Sequence, residues 1–259
     1  MPDLFIQLRG DAEGEGFTPT PLADDEALAL LLDSEIADSK LIPWGSNYSF
    51  AVALVTAEGA DHLAVYKPLS GEAPLYDFPE GTLYLREVAS YHLSRTLGWD
   101  MVPPTVIRDG PHGIGSLQIY VQPMAESVEW DPRSYWAGCG EEIEKLVLFD
   151  HIANNADRKI GHCLRDERGK VWGIDHGLTF NENPKMRTVL WQFVGMPISP
   201  RLRADLLRLH ADDSAFRALM RPYLSRAEVN ALLTRIDRIA QSETYPALNP
   251  RRNIPYGWW

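Results

Sequence analysis

Several marks of secreted, membrane-spanning or nucleic-acid-binding proteins are missing from this chain. It has two cysteines, Cys139 and Cys163, in 259 residues. That is too few for a disulfide framework or a cysteine-built metal site, and a reducing cytoplasm fits. No window of about eighteen apolar residues occurs, so no transmembrane helix is expected. The first residues, MPDLFIQLRGDAEGEG, lack a basic region followed by a long apolar run, so no signal peptide is expected either. Positive charge is scarce. The formal charge of −11 argues against a general nucleic-acid surface, while leaving room for a local basic pocket that holds phosphates. Internal repeats and low-complexity tracts are also absent. With 45% hydrophobic and 24% charged residues, the composition is that of a globular chain long enough for one large domain or two modest lobes.

Periodicity divides the chain into two parts of different character. Residues 26–39, EALALLLDSEIADS, carry apolar positions at helical spacing and predict a helix. Residues 48–68, YSFAVALVTAEGADHLAVYKP, give two β-type runs around a turn-rich AEGAD. A helix follows over 81–99, then strand-like runs at 104–107 and 117–122. Beyond a hinge near 120–135, helices are predicted at 140–154, 201–210, 213–223 and 225–241, with a hairpin HCLRDERGKVWGID at 162–175. The expectation is an α+β protein of two lobes: a β-rich N-lobe with one helix, residues 1–123, and a mostly helical C-lobe, residues 124–259.

Chemistry concentrates around that hairpin. FDHIANNADRK, residues 149–159, runs an apolar helix into two asparagines, an aspartate, an arginine and a lysine. GIDHGLTF, residues 173–180, places a second aspartate after an apolar pair. Asp157 and Asp175 lie eighteen positions apart, and an antiparallel hairpin between them returns its two ends to one edge. Two carboxylates with a nearby imidazole meet the needs of a site for Mg²⁺ or Mn²⁺ plus phosphate. A cation for the phosphates is available in Lys67, which closes an apolar strand, with Glu87 on the following helix as its partner. Each residue also has a plain structural reading: Asp157 with Arg158 as an ion pair at a helix end, Asp175-His176-Gly177 as a turn, Lys67 as an exposed strand end.

Taken in order, Lys67, Glu87, Asp157 and Asp175 resemble the protein kinase-like superfamily, whose strand lysine pairs with a helix glutamate and whose catalytic and metal loops flank a hairpin. HRD and DFG are missing. NADRK and IDHG are instead similar to the loops of phosphatidylinositol 3- and 4-kinases and of HipA-like kinases. With VYKP, DFPEGTLYLRE, GWDMVPPTV and IDHGL, residues 40–240 resemble an actinobacterial-type phosphatidylinositol 3/4-kinase-like family. The resemblance implies ATP as cofactor, with Asp157 as the base that orients or deprotonates the acceptor hydroxyl and Asp175 as metal ligand. It also implies Lys67 on the α- and β-phosphates with Glu87 as its partner, and adenine held by the hinge strand QIYVQ, which includes Gln118 and Tyr120.

Two positions depart from that pattern. Where an asparagine metal ligand is usual, five positions after the catalytic aspartate, the chain has His162, which makes Mn²⁺ plausible beside Mg²⁺; Asn155 is the alternative ligand. The phosphate loop WGSNYSF, residues 44–50, has one glycine, leaving Ser46, Asn47 and Ser49 as donors to phosphate. The expected function is therefore ATP-dependent phosphotransfer to a hydroxyl of a protein (itself included) or of a small molecule. A lipid ranks lower, because no basic amphipathic segment stands out. A nucleotide-binding pseudokinase and a metal-dependent hydrolase using His151, Asp157, His162, Asp175 and His176 remain as alternatives.

Overall fold

The structure, a computed structural model, describes residues 24–43, 45–56, 61–124, 136 and 138–257. Most of the predicted hinge, the AEGAD turn except its last residue and the terminal Trp258-Trp259 lie outside them. The described chain falls into two compact units. One takes in the residues up to Val88 together with Pro103–Gln122, and the other Ala89–Val102 together with the residues from Pro123 onward.

The first unit is built on a five-stranded antiparallel sheet. Its strands are β1 (Glu35–Leu41), β2 (Phe50–Val55), β3 (Asp61–Pro68), β4 (Thr105–Gly110) and β5 (Gly113–Ile119), in the spatial order β1-β2-β3-β5-β4. β2 reads FAVALV and its four central residues are buried, as expected of a strand covered on both faces. On one face Val52, Leu54, Ala64, Tyr66, Val106 and Leu117 pack with Leu30 and Leu31 of helix α1 (Asp24–Asp33). On the other, Ala51, Leu63, Tyr120 and Ile42 form a smaller cluster. The sheet-side alternation of β2 and β3 produces both.

The helix predicted over 26–39 ends at Asp33, and its second half is β1. β1 sits at the sheet edge with a register shift between Ile36 and Asp38. Edge strands tolerate charge and irregularity, so Glu35, Asp38 and Lys40 hide the strand signal, and pairing with β2 overrides local helical spacing. The guanidinium of Arg108 on β4 donates to the carbonyls of Leu31 and Ser34, fixing the helix end against the sheet.

Helix α2 (Leu83–Leu97) begins in the first unit and continues into the second. The second unit contains α3 (Gly140–Ala153), a short hairpin of β6 (Cys163–Arg165) and β7 (Val171–Gly173), and helices α4 (Pro200–Ala211), α5 (Ser214–Met220) and α6 (Arg226–Ala240). The hairpin pairs Cys163 with Gly173 and Arg165 with Val171. Asp166 organises its turn, accepting from the backbone N–H groups of Arg168 and Lys170 and from the Trp172 indole. α3 is buried continuously from Lys145 to Ala153, so it forms the spine of this unit. α6 starts on a capping box, with Ser225 and Glu228 each accepting from the other's backbone N–H.

Candidate active site

In the first unit, Lys67 lies on β3 and Glu87 on α2, and the Lys67 Nζ–Glu87 Oε1 separation is 2.5 Å. Glu87 is 3% exposed and the Lys67 side chain 24%. The carboxylate is thus an internal anchor and the ammonium keeps part of its surface open. Gly115 makes this geometry possible. A Cβ there would come within 2.4 Å of the Lys67 carbonyl oxygen, so only glycine lets β5 run this close to the end of β3.

The phosphate-loop candidates are held by local bonds. The backbone N–H of Tyr48 donates to Gly71 O, and Asn47 Oδ1 accepts from the backbone N–H of Ala73 at 2.8 Å. The loop is therefore tethered to residues 71–73, and Asn47 is partly engaged by the chain itself. Ser46 is exposed and Ser49 half-buried. On the hinge side, the Gln118 amide donates to Thr105 Oγ1, and the N–H groups of Ile119 and Tyr120 donate to Pro104 O and Leu63 O. Those two N–H groups are taken up by neighbouring chain. The Tyr120 phenol is buried, which pushes its pKa up to about 12.

In the second unit, the hairpin brings the other candidates together. His162 precedes β6 and Asp175 follows β7, and the N–H of Ile174 donates to His162 O. His162 Nδ1 donates to the carbonyl oxygen of Asp157 at 3.0 Å, and its Nε2 lies 3.2 Å from Asp175 Oδ2. One imidazole therefore spans the two aspartates, with its tautomer fixed by a backbone carbonyl, an arrangement common among metal-binding histidines. Asp175 has a positive φ of 59°, which Asp tolerates better than most residues, and its side chain is 47% exposed. Asp157 is half-buried and pairs with Lys159 Nζ at 2.9 Å. Burial raises its pKa above the ordinary carboxylate value, against the lowering pull of Lys159 and His162.

Among the described residues, no three or more His, Cys, Asp or Glu side chains are gathered to hold a metal. The pair His162 and Asp175 does fit a shared ion. Two cis ligands at about 2.1 Å from an octahedral ion lie about 3 Å apart, close to the observed 3.2 Å. A two-residue donor set suits an ion whose remaining ligands are phosphate oxygens and water.

Asn155 is placed differently from a ligand. It is fully buried, its amide donates to Asp150 Oδ1, and its Oδ1 accepts from the backbone N–H of Asp157. Both ends of the amide brace the loop. His151 and His176 also turn inward. His151 lies in α3 beside Tyr245 and His176 packs edge-on against Phe149. Neither serves a hydrolase-type ligand set. Cys163 is buried and pushed up to about 12, far from a reactive thiolate.

Sequence reasoning missed the residue that fixes this loop. Arg158 does not pair with Asp157. Its Nε and Nη2 donate to the carboxylate of Asp150, eight residues earlier in α3. Nη1 donates to His162 O and Ile174 O, and Nη2 also donates to His176 Nε2. All five N–H donors of the guanidinium are engaged. Burial disfavours the charge, but Asp150 and the other acidic groups facing the guanidinium, Asp175 among them, together outweigh it and the pKa is raised. The signal was present: Asp150 is an acid inside the apolar run LVLFDHIA, and a buried charge needs a partner.

A second missed element comes from the far end of the chain. Arg158 N–H donates to Arg187 O, Val189 N–H to Arg158 O and Arg187 N–H to Asn155 O, so residues 187–189 run alongside the loop. Asn253 clamps that segment, accepting from Thr188 N–H through its carbonyl and donating from Nδ2 to Met186 O. Tyr256 packs under the Arg187 guanidinium at 4.9 Å.

No protein-family model matches the chain. It is similar to protein Rv2133c of Mycobacterium tuberculosis, 36% identical over 269 residues that cover 91% of this chain and 96% of that protein. It is 25% identical over 186 residues to phosphatidylinositol 4-kinase gamma 2 of Arabidopsis thaliana, a match that covers 53% of this chain and only 33% of that protein. Among solved structures it is similar to hydra Fam20 with sugar, with a TM-score of 0.58, 14% identity and coverage of 83% of this chain and 86% of that one. It is also similar to the Golgi casein kinase with Mn/ADP bound, with a TM-score of 0.54, 15% identity and coverage of 84% and 74%. At these identities the structural likenesses establish the fold, with a β-rich N-terminal part and a helical C-terminal part. The chain therefore belongs to the family of Mycobacterium tuberculosis protein Rv2133c and has a protein kinase-like fold.

Proposed function

We propose that this protein is an ATP-dependent phosphotransferase of the atypical kinase type, on the phosphatidylinositol 3/4-kinase-like or HipA-like branch. The observation that carries the reading is the Lys67–Glu87 ion pair. A buried carboxylate fixes a partly open ammonium, on the strand and helix where kinases use this pair to hold the α- and β-phosphates. The Asp157–His162–Asp175 arrangement supports it from the second unit.

In this reading Lys67 neutralises phosphate charge. Asp175 and His162 would hold a divalent ion, Mg²⁺ or Mn²⁺, which would supply further neutralisation of phosphate charge. Asp157 orients the acceptor hydroxyl and takes its proton, and its raised pKa brings it nearer the range of an effective base. Lys159, paired with Asp157, supplies a cation within the same loop. Arg158 and Asn155 keep the loop in register and touch no reactant. Catalysis then rests on positioning and electrostatics. A protein or small-molecule hydroxyl is favoured over a lipid.

One observation favours a second reading, a nucleotide-binding module without turnover. The loop 45–49 has part of its donor capacity tied to residues 71–73, which leaves less for phosphates. The two readings separate in one experiment: incubation with γ-labelled ATP and either Mn²⁺ or Mg²⁺, following label into the protein and into a generic acceptor protein. Label that appears with wild type and is lost in both Lys67→Met and Asp157→Asn supports phosphotransfer. Nucleotide binding with no transfer under either metal supports the second reading.

A further inference from the structure

We infer that the groove between α5 and α6 is a docking site for an extended acidic segment of a partner protein. The groove has a volume of about 820 Å³, ample for several residues of peptide. Its floor is apolar, with Leu224 and Val229, and its walls carry Arg217, Arg221 and Arg226. In a chain of formal charge −11, three guanidinium groups around one groove run against the composition.

The three arginines differ in their bonding. Arg217 is committed: its Nε donates to Asp213 and its Nη1 donates to Asn230 Oδ1 across the groove, tying the two walls at one end. Arg221 and Arg226 are exposed, and neither forms an ion pair or side-chain hydrogen bond among the described residues. Carboxylates on the flanking elements are already engaged. Asp213 pairs with Arg217, Asp212 accepts from the Ser214 hydroxyl, and Glu228 is buried in the capping box. Two positive charges are thus left to meet anionic groups, above a floor that takes apolar ones.

Charge and an apolar floor together set the form of the ligand. Arg221 keeps helical backbone angles at the end of α5, so Arg217 and Arg221 lie one helical turn apart, about 5–6 Å between Cβ atoms. Alternate side chains of an extended peptide are about 7 Å apart. An alternating acidic–apolar segment can offer its carboxylates to Arg221 and Arg226, the two arginines left uncommitted, while its apolar residues face Leu224 and Val229. Arginine forks suit carboxylates well, and aliphatic stems of the same residues add apolar contact.

The test uses fluorescence anisotropy on the full chain with a labelled eight-residue peptide of alternating Glu and Leu, and a control with Gln for each Glu. Wild type is expected to bind the Glu–Leu peptide at least tenfold more tightly than the control, weakening as salt is raised. Arg221→Gln with Arg226→Gln, both at exposed positions, should lose about tenfold while melting at the wild-type temperature. Equal binding of the two peptides, or equal binding by the double variant, would overturn the proposal. So would displacement by inorganic pyrophosphate at concentrations equal to the peptide's, because the groove would then be a small-anion site. None of these readouts involves ATP, so the inference stands or falls separately from phosphotransfer.

Discussion

Arg158 and Asp150 form an ion pair with both side chains fully buried, Nε to Oδ2 at 2.9 Å. It joins the helix that leads into the loop, the loop itself and, through His162 O and Ile174 O, the two ends of the hairpin. The candidate catalytic and metal-binding aspartates thus share one internal brace.

Breaking that brace should be costly. Asp150→Asn leaves a buried guanidinium short of its counter-charge, a change that typically costs about 3–5 kcal/mol. Urea denaturation should show a loss of that order. A loss below about 1 kcal/mol would mean that the pair behaves like a surface one and braces nothing.

Lys67→Met should remove phosphotransfer at temperatures where the variant is still folded, with a lowered melting temperature because the buried Glu87 carboxylate loses its counter-charge. Losing one preorganised electrostatic group at a transferring phosphoryl typically costs about 10²–10³-fold in rate. The check is initial velocity with γ-labelled ATP alongside a melting curve. Retention of more than a tenth of the rate would remove Lys67 from the mechanism.

His151 provides a pH signature of the second unit. Burial, assisted by the charge of Arg238, lowers its pKa from 6.5 to about 4. The unfolded chain therefore binds this proton more tightly than the folded one. Its contribution to stability is complete above pH 6.5 and is lost as pH falls toward about 4. The expected loss is on the order of 3 kcal/mol, measured as the change in unfolding free energy between those limits. His151→Phe should flatten that part of the profile; an unchanged slope in the variant would assign the acid sensitivity elsewhere.

The tail clamp makes a local prediction. Asn253→Ala removes the Nδ2 bond to Met186 O and the bond from Asn249 N–H to Oδ1. At about 1 kcal/mol net per hydrogen bond, amide exchange at Arg158, Thr188 and Val189 should rise about five- to tenfold, with α6 unaffected. Unchanged exchange at those three amides would show that the tail does not restrain the loop.

The sequence carried the pairing of Lys67 with Glu87 only through joint order: alone, Lys67 reads as well as an exposed strand end and Glu87 as a solvated helix face, and the order Lys67, Glu87, Asp157, Asp175 is what marks them. The return of the 162–175 hairpin was equally legible, and β6 and β7 form it. What escaped were relationships between side chains. Adjacency in sequence sets Arg158 beside Asp157, whereas the partner is Asp150, within the otherwise apolar stretch LVLFD of its helix. Asn155 read as a donor to metal because an amide's direction is not encoded in spacing. β1 was hidden because an edge strand needs no apolar alternation. The clamp by Asn253 joins residues more than sixty positions apart, with no local pattern to mark it.

The central claim is that Asp175 and His162 hold the metal of a bound nucleotide. Thermal stabilisation by ATP with Mn²⁺, and separately with Mg²⁺, tests it most directly in wild type and Asp175→Asn. At about 100 times its dissociation constant the nucleotide should add about 2.7 kcal/mol. The account predicts a metal-dependent upward shift in melting temperature for wild type, lost in the variant. The absence of any shift with either metal, or an equal shift in Asp175→Asn, would contradict it.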